Sequence, residues 1–154
     1  MNLLEFVQNI LDENNIMNIN LSEECKEGSV ATFNFETKVL EVNESSLLKN
    51  AEKHGLCAKD MAYLLVSHEL GHYLDKDLEN LYNKKIAVLN RIQEDIFTCD
   101  FQAVIDEGSS YVLQAEKNAW VLGERLVPKQ LLNKYKELEK ENLQMTESNA
   151  NAEI

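Results

Sequence analysis

The sequence lacks any run that approaches the roughly 20 apolar residues needed for a membrane-spanning helix. Its first residues, Met1 to Phe6, contain neither a basic segment nor a long apolar stretch, so they do not resemble a signal peptide. We therefore expect a cytoplasmic protein with no membrane partner.

Cysteine is also scarce, and its spacing does not favour cysteine chemistry. Cys25, Cys57 and Cys99 are odd in number, lie far apart in the chain and form no CxxC pair. This pattern indicates neither a disulfide framework nor a zinc site built from thiolates. We expect three reduced thiols, most of them buried.

Basic residues are few relative to acidic ones. The chain has 15 Lys and Arg against 27 Asp and Glu, which gives a net charge of −12 at pH 7. Binding to a phosphate backbone needs clustered Lys and Arg, so we expect no direct contact with nucleic acid. An acidic surface can steer a basic partner, and a basic DNA-binding protein is therefore one candidate substrate.

The length and the apolar spacing predict one α+β domain that is mostly helical. A chain of 154 residues with 44% hydrophobic residues is about one domain long and can bury a core without disulfide or metal staples. Apolar spacing predicts a helix over residues 3–13 and a short strand over 16–21. Residues 30–35 and 39–42 predict a hairpin. We expect a small N-terminal antiparallel sheet, packed on a central helix.

The rest of the chain predicts helices. The helix over residues 59–74 is apolar around most of its circumference, so it should be central and buried. One helix is expected from Asn43 to Asn50, with Ser45 or Ser46 as its cap, and another over residues 78–104. Gly108-Ser109-Ser110 predicts a break, followed by a helix that runs to about Leu126. A last helix is expected to have Pro128 in its first turn and to end near Leu143. Residues 1–144 would form the domain, and the polar residues 145–154 a disordered tail.

Residues 68–72 of the central helix read His-Glu-Leu-Gly-His. Side chains four residues apart share one face of a helix, so His68 and His72 can direct ring nitrogens at one ion. Glu69 is rotated to the side and can reach a water molecule beside the ion. Burying these polar groups without hydrogen-bond partners would cost roughly a few kcal/mol each. A bound metal ion and its water would offset that cost. With three histidines in the chain, a chance match is expected well under about one time in a hundred.

A catalytic zinc ion needs a third protein ligand and an open position. Glu94 lies close to the minimal helix-loop-helix return from His72, and Glu116 lies on a later helix. Ala119 and Gly123 share one side of that later helix with Glu116, and small residues there allow the close helix approach that a shared metal requires. Both glutamates stay candidates on this reasoning.

The segment after the motif adds a second pattern. Following His-Glu-Leu-Gly-His, a helix that carries Glu116, Ala119, Gly123 and Leu126 and ends before Pro128 resembles the ImmA/IrrE family of gluzincin-like metallopeptidases. The resemblance covers most of residues 1–132, and the order of helix, small sheet, motif helix and glutamate helix is similar.

The resemblance implies a minimal zincin-like fold and a set of roles. His68, His72 and Glu116 would bind Zn²⁺, and Glu69 would act as the catalytic base. The activity implied is that of a zinc endopeptidase with a regulatory role, which cleaves a repressor in phage or mobile-element regulation.

Other parts of the site stay open. A second donor to the reacting carbonyl oxygen is usual in such sites, and four tyrosines are candidates. They are Tyr63, Tyr73, Tyr82 and Tyr111. No residue that orients either histidine is identified, because position 120, one turn after Glu116, is Trp rather than a carboxylate.

Two alternative functions come from other classes. One is a zinc-bearing interaction module that binds a transcriptional regulator without cleaving it. The other is a metal-free helical domain.

Overall fold

The computed structural model describes residues 2–23, 28–94 and 100–152. Its elements in chain order are α1 (Leu3–Glu13), β1 (Asn20–Ser22), β2 (Ala31–Asn34), β3 (Val39–Val42), α2 (Glu44–His54), α3 (Ala58–Leu74), α4 (Leu78–Glu94), α5 (Phe101–Gly123), two 3-10 turns (Glu124–Leu126 and Lys129–Leu131) and α6 (Leu132–Ala152). The chain is thus mostly helical with a small three-stranded sheet, as the sequence predicts.

The sheet is mixed, whereas an antiparallel sheet was expected. β2 and β3 form the predicted antiparallel hairpin, but β1 pairs parallel to β3 on the other side, in the order β1-β3-β2. The reason lies in β3, whose Leu40 and Val42 are fully buried. The most apolar strand takes the central position, so the chain must cross over it between β1 and β2. β1 also begins at Asn20 and not at residue 16, because Ile16 and Ile19 pack in the core ahead of it.

Of the two N-terminal helices, α1 follows the prediction closely, whereas α2 runs four residues past its predicted end at Asn50. α1 matches residues 3–13. α2 is capped by the side chain of Asn43, which accepts a hydrogen bond from the Ser46 backbone N–H, so neither Ser45 nor Ser46 is the cap. Gly55 ends α2 in the left-handed conformation, at φ +65°.

The predicted helix over 78–104 and the predicted break at Gly108 are both wrong. α4 ends at Glu94 and α5 begins at Phe101, where the Asp100 side chain accepts a hydrogen bond from the Ala103 N–H as an N-cap. Ile96 and Phe97, which supported the longer helix, lie outside the described residues. α5 passes through Gly108 without interruption, because one glycine weakens a helix by only about 1 kcal/mol and packing against α4 offsets that loss.

The last helix runs beyond its predicted end near Leu143 and continues to Ala152. No proline or glycine follows Leu143 to stop it. Within this segment, the Thr146 hydroxyl donates to the carbonyl oxygen of Asn142 at 3.0 Å. At the start of the helix, Pro128 directly precedes the second 3-10 turn, close to the first-turn position expected for it.

The described part of the chain contains one cysteine, Cys57. Cys57 is a free, exposed thiol that caps α3, with its sulfur accepting a hydrogen bond from the Asp60 N–H. Cys25 and Cys99 lie outside the described residues. In the described ranges, no helix combines the length and the apolarity that crossing a bilayer requires.

The central feature of the fold is the close pairing of α3 with α5. Gly71 of α3 faces the backbone of Ala119, and a Cβ at position 71 would overlap the Ala119 carbonyl oxygen. Gly123 of α5 likewise faces the backbone of Ser67. These contacts bring the two backbones together at positions 67 and 71 of α3, one residue before each histidine. The small residues 119 and 123 therefore serve the close approach that their spacing predicts.

Replacing Gly71 with alanine should destabilise the fold. The new methyl group has no space between the two backbones, so α3 and α5 must separate, and overpacking of this kind costs typically about 1–3 kcal/mol. Gly108→Ala is the matched control, because its Cβ would meet nothing closer than Val88 at 3.5 Å. That variant should gain about 1 kcal/mol from helix propensity. Chemical denaturation of both variants checks the opposite signs, and equal stability would contradict the packing.

Candidate metal centre

Three side chains from α3 and α5 converge on one point. His68 Nε2 lies 3.3 Å from Glu116 Oε2, and His72 Nε2 lies 3.4 Å from Glu116 Oε1. The two histidines reach this point because they are one helical turn apart on α3. Glu116 reaches it because the glycine contacts hold α5 against the same turn. Asn118 adds a hydrogen bond of 3.0 Å to Asp75, at the end of α3.

This group of side chains fits a metal ion. One ligand atom from each residue lies within 4.8 Å of the others, and in the part of the chain that the structure describes no other such group is found. Two imidazoles and a carboxylate are a usual donor set for catalytic zinc. Ligand atoms about 2.0–2.1 Å from a tetrahedral ion lie roughly 3.3–3.4 Å apart. The distance from each histidine to the nearer Glu116 oxygen has that size, and each histidine meets a different oxygen of the carboxylate.

The same residues stabilise one another by charge. Burial would raise the pKa of Glu116, but hydrogen bonds from His68 and His72 hold its pKa well below the usual range. Burial would lower the pKa of His72, but the hydrogen bond to Glu116 and the nearby charges of Glu69 and Asp75 raise its pKa above the usual value. An anionic Glu116 thus faces two imidazoles across hydrogen bonds. A metal cation bound there would take the place of the protons in those hydrogen bonds.

Glu69 lies beside this group and not in it. Its Oε2 accepts a hydrogen bond of 2.8 Å from the backbone N–H of Phe33, in strand β2. Burial raises the pKa of Glu69, and the histidines next to it oppose that shift. A carboxylate with a raised pKa is a stronger base, and contact with the strand fixes its position.

The two candidates for a third ligand have separate locations. Glu116 is in the group, whereas Glu94 is the exposed last residue of α4 and is not part of it. Among the described residues, the geometry therefore pairs Glu116 with the histidines.

Trp120 holds His68 in place, which the sequence reasoning missed. Its ring stacks on the His68 imidazole with 4.2 Å between centroids and 29° between planes. Trp120 is in turn fixed by a hydrogen bond of 3.0 Å from Nε1 to Asn142 and by packing against Tyr135. Among the described residues, buried His68 Nδ1 has no hydrogen-bond partner. Stacking therefore takes the place of the outer hydrogen bond that usually orients a metal-binding histidine. The signal in the sequence was position 120 itself, one turn after Glu116.

The four candidate tyrosines separate into two pairs. Tyr82 and Tyr111 line the same cleft as His68, Glu69, His72 and Glu116. Tyr63 donates its hydroxyl to Glu13, and Tyr73 packs edge-on against Phe33. Of the four, Tyr82 and Tyr111 line the cleft, and the Tyr111 hydroxyl already donates to Glu107 Oε1 at 3.0 Å.

The cleft over the site has a volume of about 520 Å³. One wall is the strand segment from Val30 to Phe33, and the opposite wall is formed by α4 and α5.

Comparison of the chain with models of protein families, with curated proteins and with solved structures finds no match. The resemblance to ImmA/IrrE peptidases thus depends on the two motifs alone.

The stacking of Trp120 on His68 makes metal binding visible by fluorescence. Trp120 is the only tryptophan in the chain, so its emission reports on this site alone. Co²⁺, which accepts imidazole and carboxylate ligands, should quench this emission with a stoichiometry of one, and a chelator should restore it. Mg²⁺ prefers oxygen ligands and should leave the emission unchanged. Unchanged emission in a large excess of Co²⁺ would count against binding at His68.

Proposed function

We propose that this chain is a zinc-dependent endopeptidase of a minimal zincin-like kind. The observation that carries the proposal is the Glu69 carboxylate, which lies beside a three-ligand group in an open cleft. A metal site with a structural role is usually closed by four protein ligands. Three ligands and an adjacent carboxylate are typical of sites that activate water.

The roles of the residues follow from their chemistry. His68, His72 and Glu116 would hold the ion, which when bound supplies a Lewis acid that polarises a carbonyl group and makes water more acidic. Glu69 would take a proton from the attacking water and pass it to the leaving amine nitrogen. Tyr82, or Tyr111 once its hydroxyl leaves Glu107, would donate a hydrogen bond to the developing oxyanion.

The sheet offers a way to hold an extended polypeptide. β2 is an edge strand of the sheet, and it forms one wall of the cleft next to Glu69. Extended peptides bind to such edges by adding a strand, with main-chain hydrogen bonds that do not depend on sequence. A substrate segment along β2 would bring its peptide carbonyls close to the three ligands.

The resemblance to ImmA/IrrE peptidases supports a regulatory role in the cytoplasm. By that resemblance, the substrate is a repressor of a phage or mobile element. A net charge of −12 is compatible with a basic DNA-binding protein as partner and argues against direct contact with nucleic acid.

A cleavage assay on the intact chain tests the proposed function. The zinc-loaded protein is incubated with an unfolded polypeptide and with a repressor encoded beside its gene, and the products are identified by mass spectrometry. We expect fragments that disappear when a chelator is added. A stable complex without fragments would instead favour a zinc-bearing interaction module. Absence of zinc at neutral pH, with no uptake of added zinc, would leave a metal-free helical domain.

A further inference from the structure

A second cavity adjoins the metal centre on the side away from β2. Its volume is about 470 Å³, within the range of roughly 300–1,000 Å³ typical of ligand sites. It shares Lys85, Val112, Glu116 and Asn142 with the cleft over the site. The Glu116 carboxylate meets both histidines, so the cavity opens directly beside the candidate metal centre.

The walls of this cavity are mainly aliphatic. α4 contributes Val88, Leu89 and Ile92, and α5 contributes Val104, Ile105 and Val112. Polar side chains from α6 border the cavity, and they are Asn142, Thr146 and Asn149.

Contacts between α4 and α5 keep the two aliphatic walls in position. An ion pair joins Arg91 of α4 to Glu107 of α5, and the Lys84 ammonium lies over the Tyr111 ring, 5.8 Å from its centroid. The cavity is thus a gap between two paired helices.

Gly108 leaves this space open, because it has no side chain to occupy it. The other two helical glycines, Gly71 and Gly123, are required because a Cβ would overlap a neighbouring backbone. Gly108 is under no such constraint, since its Cβ would be in ordinary contact with Val88 at 3.5 Å. It nevertheless occupies the interior of α5, where glycine weakens a helix, and it lines the cavity. A larger residue there would fill the space.

We propose that this cavity is the specificity subsite that receives a bulky apolar side chain of the polypeptide next to the cleaved bond. The inference rests on the proposed function and narrows its substrate class to sequences with a large aliphatic or aromatic residue at that position. Gly108 is then the residue that sets the depth of the subsite.

Hydroxamate ligands test the subsite without requiring cleavage. Two succinyl hydroxamates that differ only in their substituent, isobutyl or methyl, are titrated into the zinc-loaded full chain by calorimetry. We expect the isobutyl compound to bind at least about tenfold more tightly, since each added methylene in an apolar pocket contributes strongly to discrimination. Gly108→Leu should remove this preference. Ser110→Leu adds the same side chain to an exposed position of α5 and should retain it.

The outcomes separate the subsite from the proposed function. Equal binding of the two compounds to the unmodified chain would overturn the subsite, and this comparison depends on no variant. A retained preference in a folded Gly108→Leu variant would also overturn it. Cleavage of an unfolded polypeptide by the same preparation is measured separately. Preference for the isobutyl compound without any cleavage would support the subsite and contradict the proposed peptidase activity.

Discussion

Replacing Glu69 with glutamine should leave zinc bound and lower the cleavage rate by about 10²–10⁴-fold, the usual contribution of a general base. The amide oxygen of glutamine can still accept the hydrogen bond from the Phe33 N–H, so the contact with β2 should persist. What the variant loses is the ability to take a proton. Cleavage kinetics and zinc content, measured on the same preparation, check both parts.

Glu79→Gln is the control for this variant, because Glu79 is an exposed residue in the first turn of α4. It makes the same chemical change away from the cleft and should leave the rate unchanged. Full activity in Glu69→Gln would remove Glu69 as the base, whatever the zinc content.

Replacing Glu116 with glutamine should weaken zinc binding by more than about a hundredfold. Loss of a residue that only supports a metal ligand typically reduces affinity about 10–100-fold, and loss of an anionic ligand should exceed that. Glutamine keeps the shape of the side chain but removes the negative charge that both histidines face. Competition with a chromophoric zinc chelator measures the change.

Glu94→Gln is the matched control, because Glu94 was the other candidate ligand in the sequence. Its exposed position at the end of α4 predicts unchanged zinc affinity. The reverse pattern, with a loss in Glu94→Gln and none in Glu116→Gln, would contradict the arrangement of the site.

Much of the fold follows from local patterns in the sequence. α1, α3 and the β2–β3 hairpin lie where the apolar pattern predicts them. α1 has a regular apolar face, α3 is apolar around most of its circumference, and the hairpin joins two β-rich runs by a short polar connection. The parallel pairing of β1 was not predictable in this way, since it depends on which strand the core buries most deeply. The continuity of α5 through Gly108 depends on contacts with α4 that no local pattern encodes.

The candidate site shows the same division. His68, Glu69 and His72 follow from helical periodicity, and the small residues after Glu116 predict the close approach that unites the two helices. Stacking of Trp120 on His68 was missed, because a tryptophan in a helix is more often a core residue than a partner of a ligand. The hydrogen bond that this tryptophan donates to Asn142 depends on how α6 packs, which spacing along the chain does not reveal.

We propose that His68, His72 and Glu116 together hold one zinc ion. Crystals of the chain dialysed against zinc, measured at the zinc absorption edge, give an anomalous difference map that tests it directly. We predict one strong peak between His68 Nε2, His72 Nε2 and the Glu116 carboxylate, about 2.0–2.2 Å from the ligand atoms. A map without a peak at that point, or with zinc bound by other residues, would contradict the account.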